Sequence, residues 1–265
     1  MAPSISSDPI LVATDAAGIA TVTLNRPEKR NAMTLAMWQG LGAHMKRLGD
    51  DPKVRVVVLA GAGGNFCAGA DISEFPTVRQ NVEQGRIYEH AVDSAALGIR
   101  DCPKPTIAAV TGFGVGGGCG LALACDLRVG DTTTRMGIPA GKLGIVYGTV
   151  DTSLLLRAVG LANAKLVLYS ARFFAGTEAK EMGLVNRMAD GDALTGAKAL
   201  AAEIAANAPL SVAGSKLILE TMERGEEGMQ ADAIRSAIEG AMASEDYREA
   251  AKAFIAKTKP VFNGR

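Results

Sequence analysis

Two glycine-rich segments have the composition and spacing that could support chemistry. Residues 61–69 follow the apolar run 54–60, and residues 112–118 follow the apolar run 106–110. A glycine-rich turn between a strand and a helix exposes backbone N–H groups, and the helix N-terminus adds partial positive charge. Because two such turns can direct their N–H groups at one carbonyl oxygen, the sequence indicates an oxyanion hole.

The second glycine segment also fits a different pattern. Gly112, Gly114 and Gly117 have the GxGxxG spacing of dinucleotide-binding folds, and Asp131 follows downstream. Such a fold continues into a second set of alternating strands and helices. We expect only one further strand after this segment, so a nicotinamide-dependent oxidoreductase is an alternative with weaker support.

Four ionisable residues could supply acid–base chemistry near these turns. Tyr147 is a candidate, although tyrosines commonly pack half-buried beside a pocket. Asp151 is either a base or a residue of the first turn of a predicted helix over 152–159. His90 is a possible general base in a predicted helix over 80–99, but a lone histidine has many structural uses. Glu74 is interpreted as an exposed loop residue.

The patterns around these residues predict an α/β fold. Apolar or alternating strands are expected at 10–13, 18–24, 54–60, 106–110 and 127–129, with the first two forming a hairpin. Helices are expected at 34–48, with Thr34 as N-cap, at 80–99 and up to Ala124. Alternation of strands and helices favours parallel pairing.

The pattern changes after residue 190. Four consecutive helices are expected at 193–207, 210–223, 229–243 and 245–257, with Ser244 as the N-cap of the last. The sequence therefore divides into an α/β core over 1–190 and a helical region over 191–265.

Composition excludes several classes of function. The 265 residues carry 28 basic and 28 acidic side chains, so a broad basic surface for nucleic acid is not expected. The apolar runs are too short for a bilayer, and residues 1–8 do not resemble a signal peptide. The four cysteines form no CxxC pair, which indicates reduced thiols in a cytoplasmic protein and no metal site.

Three segments together resemble the crotonase, or enoyl-CoA hydratase/isomerase, superfamily. They are residues 65–75 (NFCAGADISEF), 112–126 (GFGVGGGCGLALACD) and 137–144 (GIPAGKLG). The first loop, 24–33, and the ending, 253–262, extend the resemblance over nearly the whole chain. It implies a spiral of ββα units with C-terminal helices that mediate assembly into homotrimers, commonly paired into hexamers.

The resemblance also assigns roles to individual residues. The core would bind an acyl-CoA thioester, with no cofactor beyond the CoA moiety, and the oxyanion hole would consist of the N–H groups of Ala70 and Gly117. The CoA moiety would be held by Lys29, Ala68, Asp71 and Ile72, and by Lys257 or Lys259 reaching the CoA of a neighbouring subunit.

Two residues depart from the family pattern. Gly120 and Ala140 stand where the hydratases carry their catalytic glutamates. A positioned acid or base contributes about 10²–10⁴-fold to a rate, so rapid hydration by two glutamates is not expected. The resemblance leaves a divergent hydratase, an isomerase and a decarboxylase open.

Each remaining alternative has its own rationale. Some decarboxylases of the superfamily carry a tyrosine at the position that corresponds to Tyr147. Two glutamates would repel the free carboxylate of a malonyl-type substrate, so their absence would favour its binding. Those decarboxylases carry a histidine where this chain has Ala70. The other alternative is a non-catalytic acyl-CoA-binding protein. An ionisable side chain within hydrogen-bond reach of the acyl group would argue against it.

Overall fold

The structure, a computed structural model, describes residues 8–265. Residues 1–7 lie outside the described residues. They include most of the segment 1–8, for which we expect no signal peptide. The strands are β1 (Ile10–Thr14), β2 (Ile19–Leu24), β3 (Val56–Gly61), β4 (Thr106–Val110), β5 (Phe113–Val115), β6 (Leu127–Gly130), β7 (Arg135–Gly137), β8 (Phe174–Ala175) and β9 (Arg187–Met188).

The helices alternate with these strands and then continue alone. They are α1 (Leu35–Asp50), α2 (Phe75–Val78), α3 (Val82–Arg100), α4 (Gly117–Ala124), α5 (Thr149–Ser170), α6 (Gly176–Glu181), α7 (Ala193–Ala205), α8 (Pro209–Glu223), α9 (Ala231–Ala243) and α10 (Glu245–Ala256). Thr34 and Ser244 accept hydrogen bonds from Met37 and Tyr247, so both predicted N-caps are confirmed.

A six-stranded sheet in the order β1-β2-β3-β4-β6-β9 forms the centre of the fold. The predicted hairpin is confirmed, because β1 pairs antiparallel with β2, and Ile10 lies opposite Leu24. The remaining neighbours in this sheet pair in parallel. A second sheet, β5-β7-β8, lies beside it.

The central strands are buried on both faces, and alternate residues face different layers. Val57 and Leu59 of β3 face a core that includes Trp38 of α1 and residues of α3 and α4. Val56 and Val58 face the opposite side, where α7 packs its alanines at 193, 197 and 201. Helix α7 therefore covers this face of the sheet. Helices α8, α9 and α10 contribute no residue to either of these two core clusters.

The short strands of the fold were not predicted. Strands β5, β7, β8 and β9 have only two or three residues each, which is too short for a period-two pattern. The expectation of only one strand after the second glycine segment was therefore wrong. The helix predicted over 152–159 corresponds to the first part of α5, because the backbone leaves the helical conformation at Gly160 before α5 continues to Ser170.

None of the helices within residues 8–265 combines the length and the apolar character that a bilayer span requires.

The two glycine-rich turns are joined to each other through their backbones. The N–H of Cys67 donates to the carbonyl of Phe113 at 2.7 Å, and the N–H of Val115 donates to the carbonyl of Cys67 at 2.9 Å. Gly69 has a φ of +90°, and a Cβ there would lie 2.7 Å from the carbonyl oxygen of Val115. Only glycine permits this backbone conformation and this close approach.

This approach predicts that Gly69→Ala destabilises the protein. Left-handed strain and the collision with Val115 are expected to lower the free energy of unfolding by about 1–3 kcal/mol, measured by urea denaturation. Gly85→Ala is the matched control, since a Cβ at this helical position meets no atom within 4 Å. It is expected to raise stability by up to about 1 kcal/mol. Equal stability of the two variants would contradict the prediction.

Candidate active site

A cavity of about 260 Å³ lies between the two glycine turns and the helices α3 and α5. Its walls combine backbone of the turns with apolar, aromatic and ionisable side chains. The lining residues include Trp38, Ala68, Gly69, Ala70, Ile72, Phe75, Arg79, Tyr88, Glu89, Val92, Asp93, Gly116, Gly117, Ala140, Leu143, Ile145, Tyr147 and Asp151. A mainly apolar cavity with a few convergent polar groups is the usual form of a small-molecule site.

Ala70 and Gly117 both belong to this lining. Met33 holds the chain on either side of Ala70, since its N–H donates to Gly69 and its carbonyl accepts from Asp71. Gly117 is the first residue of α4, so its N–H has no acceptor in the helix. In the part of the chain that the structure describes, neither N–H donates a hydrogen bond to protein.

Trp38 determines how closely the second turn approaches the cavity. Its indole N–H donates to the hydroxyl of Tyr88 at 2.9 Å. A Cβ on Gly117 would lie 2.9 Å from the indole ring, which is closer than real Cβ contacts. Tyr88 in turn packs edge-on against Phe75, and Arg79 stacks over both rings. This aromatic wall leaves no room for a side chain at residue 117.

Asp151 extends its carboxyl group towards α4. Its Oδ1 lies 2.6 Å from the position that a Cβ on Gly120 would take, so the carboxyl occupies the space beside this glycine. Asp151 is in the first turn of α5, as expected, but Gly148 is the N-cap. The side chain is 8% exposed, and within residues 8–265 no protein group donates a hydrogen bond to it.

The electrostatic environment disfavours the charged form of this carboxyl. Burial raises the pKa of Asp151 from 3.8 to about 6, with smaller contributions from the carboxylates of Asp93 and Glu89. Burial, followed by Glu89, also raises the pKa of Asp93. Glu89 and Asp93 are four residues apart, so they lie on one face of α3 and both line the cavity.

Tyr147 is half-buried in the wall opposite α1. Its hydroxyl oxygen lies 3.6 Å from the position that a Cβ on Gly116 would take. Burial, followed by the nearby Asp151 carboxylate, raises the pKa of Tyr147 well above its usual range. The hydroxyl therefore stays protonated at neutral pH and can donate a hydrogen bond, but it cannot serve as a base.

The remaining predicted residues fall into two groups. Ala68 and Ile72 line the cavity, whereas Asp71 lies behind it. The carboxylate of Asp71 pairs with Arg26 at 2.9 Å and accepts from the Ser73 hydroxyl, and these bonds lower its pKa. The other predicted residues do not line the cavity, and their side chains are exposed; they are Lys29, His90, Lys257 and Lys259.

Two interpretations of single side chains need correction. His90 lies outside the cavity, where its Nδ1 contacts the Ser94 hydroxyl at 3.4 Å, so it is not placed to act as a base there. Glu74 is half-buried and is not an exposed loop residue, because its carboxylate accepts from the N–H of Leu35 at 2.9 Å. It caps the start of α1.

Sequence reasoning missed most of the walls contributed by α1, α3 and the end of α2. The residues concerned are Trp38, Arg79, Tyr88, Glu89 and Asp93. Glu89 and Asp93 have the spacing of one helix face, and this could have been noticed. Which face of α3 meets the cavity depends on the packing of α3 against α1 and α5, which local sequence does not specify.

Comparison with known proteins identifies the family. The family model for enoyl-CoA hydratase/isomerase matches residues 14–265. The chain belongs to the enoyl-CoA hydratase/isomerase family. Membership agrees with the α/β fold of the crotonase type, in which the central sheet is mostly parallel. The GxGxxG spacing at 112–117 is thus part of a hydratase/isomerase sequence, and the nicotinamide alternative has no further support.

Individual relatives of this hydratase/isomerase cover almost the whole chain. A Thermus thermophilus protein, whose name assigns it provisionally to the enoyl-CoA hydratases, is 42% identical over 250 residues, covering 92% of this chain and 97% of its own. The short-chain-enoyl-CoA hydratase of Clostridium acetobutylicum is 36% identical, covering 91% and 92%. The crystal structure of an enoyl-CoA hydratase from Bacillus anthracis has a TM-score of 0.90 at 30% identity, covering 97% and 100%.

The raised pKa of Asp151 gives a stability prediction for this hydratase/isomerase. A pKa of about 6 in the folded protein against 3.8 corresponds to roughly 3 kcal/mol of unfavourable free energy for the ionised form. Asp151→Asn removes that charge, so it is expected to stabilise the protein by up to roughly 3 kcal/mol at pH 8. The gain should shrink as the pH falls from 6 to 4, because the wild-type carboxyl becomes protonated in the folded state, and it should vanish below 3.8, where the carboxyl is neutral in both states.

Urea denaturation at pH 8 and pH 4 measures this difference. Asp50→Asn is the matched control, because Asp50 is exposed and its ion-pair partner within residues 8–265 is the surface residue Lys46. The control is expected to change stability by less than about 0.5 kcal/mol at either pH. A stabilisation by Asp151→Asn that is the same at both pH values would contradict the raised pKa.

Proposed function

We propose that this protein binds an acyl-CoA thioester in the cavity and stabilises its enolate. The thioester oxygen would accept hydrogen bonds from the N–H groups of Ala70 and Gly117, which have no protein acceptor among the described residues. Their joint placement at the cavity is the observation that carries the proposal. Each such donor contributes about 3–4 kcal/mol of transition-state stabilisation.

Two features of the fold support this role for the N–H pair. The bonds between Cys67 and the strand β5 hold the two turns at a fixed separation. Gly117 also opens α4, whose N-terminus contributes partial positive charge where the oxyanion would develop. Donors that are oriented before the substrate binds need no reorganisation during the reaction.

The ionisable lining favours proton transfer over decarboxylation. Asp151, Glu89 and Asp93 all line the cavity, so the loss of glutamates at 120 and 140 has not left it free of carboxylates. These groups would repel the free carboxylate of a malonyl-type substrate. Tyr147 would then serve as a hydrogen-bond donor in an enoyl-CoA enzyme. The presence of these three carboxylates at the cavity also argues against the alternative of a protein that only binds acyl-CoA.

The CoA moiety would extend from the cavity along the first turn. Ala68 and Ile72 line this side of the cavity, and the ion pair of Asp71 with Arg26 holds the turn in place. Lys29 and Lys259 are exposed and available to the phosphates of CoA. The proposed chemistry uses no cofactor beyond the CoA moiety of the substrate.

The oxyanion proposal predicts a spectroscopic change on binding. An aryl-conjugated enoyl-CoA is expected to absorb at longer wavelength when bound, because donation from the two N–H groups polarises its carbonyl. Gly117→Ala should reduce this shift, since the new Cβ collides with Trp38 and displaces the N–H. Gly85→Ala is the control that should keep the full shift.

A second ligand separates polarisation from binding. The corresponding CoA thioether lacks the carbonyl, so it should bind to the protein without any change in its absorption spectrum. Binding of both ligands is followed by calorimetry. If the thioester binds but its absorption stays unchanged, the oxyanion proposal is wrong.

We also propose that the helical region 191–265 forms an interface between copies of the chain. Phe254 and Ile255 of α10 are 86% and 83% exposed, and exposed apolar residues also occur on α8 and α9. Exposed apolar surface of this extent usually marks a protein interface. The assembly would be a homotrimer or a homohexamer.

Light scattering after gel filtration tests this assembly. The expected mass is three or six times the chain mass of 27.4 kDa. Phe254→Lys should shift the mass towards the monomer, whereas Lys252→Glu, an exposed charge exchange on the same helix, is the control for a general charge effect. A wild-type protein that elutes as a monomer would contradict the proposal.

The cysteines bear on location. Cys67, Cys102, Cys119 and Cys125 are all free and buried. Free thiols without disulfides are typical of a reducing compartment, so we propose that the protein acts in the cytoplasm.

A further inference from the structure

We propose that Asp151 is the acid–base residue of this enzyme, and that it replaces from α5 the carboxyl group that is absent at Gly120 on α4. The proposal rests on the enolate chemistry proposed above and adds the residue and the class of reaction. A single carboxyl of this kind fits the movement of a double bond within an enoyl-CoA, in which one proton is removed and then returned.

The first observation is that the Asp151 carboxyl occupies the space that a side chain at residue 120 would need. The Oδ1 of Asp151 lies 2.6 Å from the position of a Cβ on Gly120, so no side chain at 120 fits while Asp151 keeps this conformation. The glycine and the aspartate are therefore complementary. A carboxyl group stands beside the start of α4 although residue 120 itself has no side chain.

The second observation relates this carboxyl to the oxyanion hole. Gly117 and Gly120 are three residues apart in α4, so they lie on the same face about one helical turn, or ~5 Å, from each other. A thioester oxygen bound at the Gly117 N–H would place the neighbouring α-carbon close to the Asp151 carboxyl. General acid–base catalysis requires this proximity.

The third observation is that the carboxyl has no structural partner. Asp151 is 8% exposed, yet within residues 8–265 no protein donor satisfies it. Its oxygens are not sealed from the cavity, because within residues 8–265 no fully buried side-chain oxygen lacks a hydrogen-bond partner. The raised pKa of about 6 agrees with this geometry, and it makes the group a better base near neutral pH than an ordinary aspartate.

Other ionisable groups around the cavity are less suited to the role. The raised pKa of Tyr147 keeps its hydroxyl protonated, and His90 lies outside the cavity. Glu89 is exposed and Asp93 is half-buried on α3, so water can reach both more readily than Asp151. Their negative charges oppose ionisation of Asp151 and thereby increase its basicity.

The reaction balances without a co-reactant. The Asp151 carboxylate removes a proton from the α-carbon of a 3-enoyl-CoA, and the electron pair of that C–H bond delocalises onto the thioester oxygen. The resulting dienolate then takes a proton from the carboxylic acid at the γ-carbon. In deuterated water this acid proton exchanges with solvent before it is returned, and return to the α-carbon gives the α-deuterated substrate. The double bond moves from the 3,4 to the 2,3 position, and the carboxylate is restored.

The decisive experiment uses Asp151→Asn in the full-length protein with a 3-enoyl-CoA in deuterated water. Isomerisation and deuteration at the α-carbon are both followed by mass spectrometry, and both rates are expected to fall about 10²–10⁴-fold. The absorption shift of the bound aryl-enoyl-CoA should remain, because the N–H groups are unchanged. Asp50→Asn, a carboxamide substitution far from the cavity, is the matched control.

A paired substitution tests the exchange of space directly. Asp151→Gly vacates the position beside residue 120, and Gly120→Glu then returns a carboxyl from α4. The isomerisation rate of the double variant is expected to be at least about 10-fold higher than that of Asp151→Gly, since the restored group is a positioned acid–base residue. Gly120→Ala alone should disturb the site, because its Cβ collides with the Asp151 carboxyl.

The outcomes separate the inference from the proposed function. If Asp151→Asn keeps its rate within about threefold of wild type, which is far below the effect of a positioned base, the inference is overturned while enolate stabilisation stands. A wild-type protein that shifts the absorption but neither isomerises nor deuterates the 3-enoyl-CoA overturns the inference in the same way. If the wild type causes no absorption shift, the proposed function fails, and the inference fails with it.

Discussion

The backbone pairing of Cys67 with Phe113 and Val115 is the contact on which the arrangement of the site depends. It joins two turns that are more than forty residues apart in sequence and brings Ala70 of one turn and Gly117 of the other to the same cavity. Glycine at 69 permits the approach, because any Cβ there would meet Val115. The central sheet orients both turns, since each follows one of two neighbouring parallel strands, β3 and β4.

The placement of Asp151 has a cost in stability. A buried carboxyl near Glu89 and Asp93, without a hydrogen-bond donor among the described residues, opposes folding at neutral pH. Active sites commonly retain such unfavourable groups, because the property that destabilises the protein also raises basicity. This cost decreases as the pH falls below about 6, where the folded protein takes up the proton, and it disappears below the ordinary pKa of 3.8.

Much of the fold could be predicted from local patterns. Thr34 and Ser244 marked helix starts correctly, and the apolar strands β3 and β4 were recognised from their composition. Strands such as β8, with two residues, owe their pairing to neighbours and carry no periodic pattern. The helix predicted over 152–159 matches the first part of α5, and the second part, beyond the non-helical Gly160, was not predicted.

The sequence by itself determined the glycine turns, the absence of carboxylates at residues 120 and 140, and the resemblance to the hydratase/isomerase family. It did not determine which acidic residue faces the cavity. Asp151 is separated from Gly120 by thirty positions along the chain, and a first-turn aspartate usually stays in solvent. Only the packing of α5 against α4 turns its carboxyl inward, since the contact between two helices depends on their relative position in space and not on local residue preference.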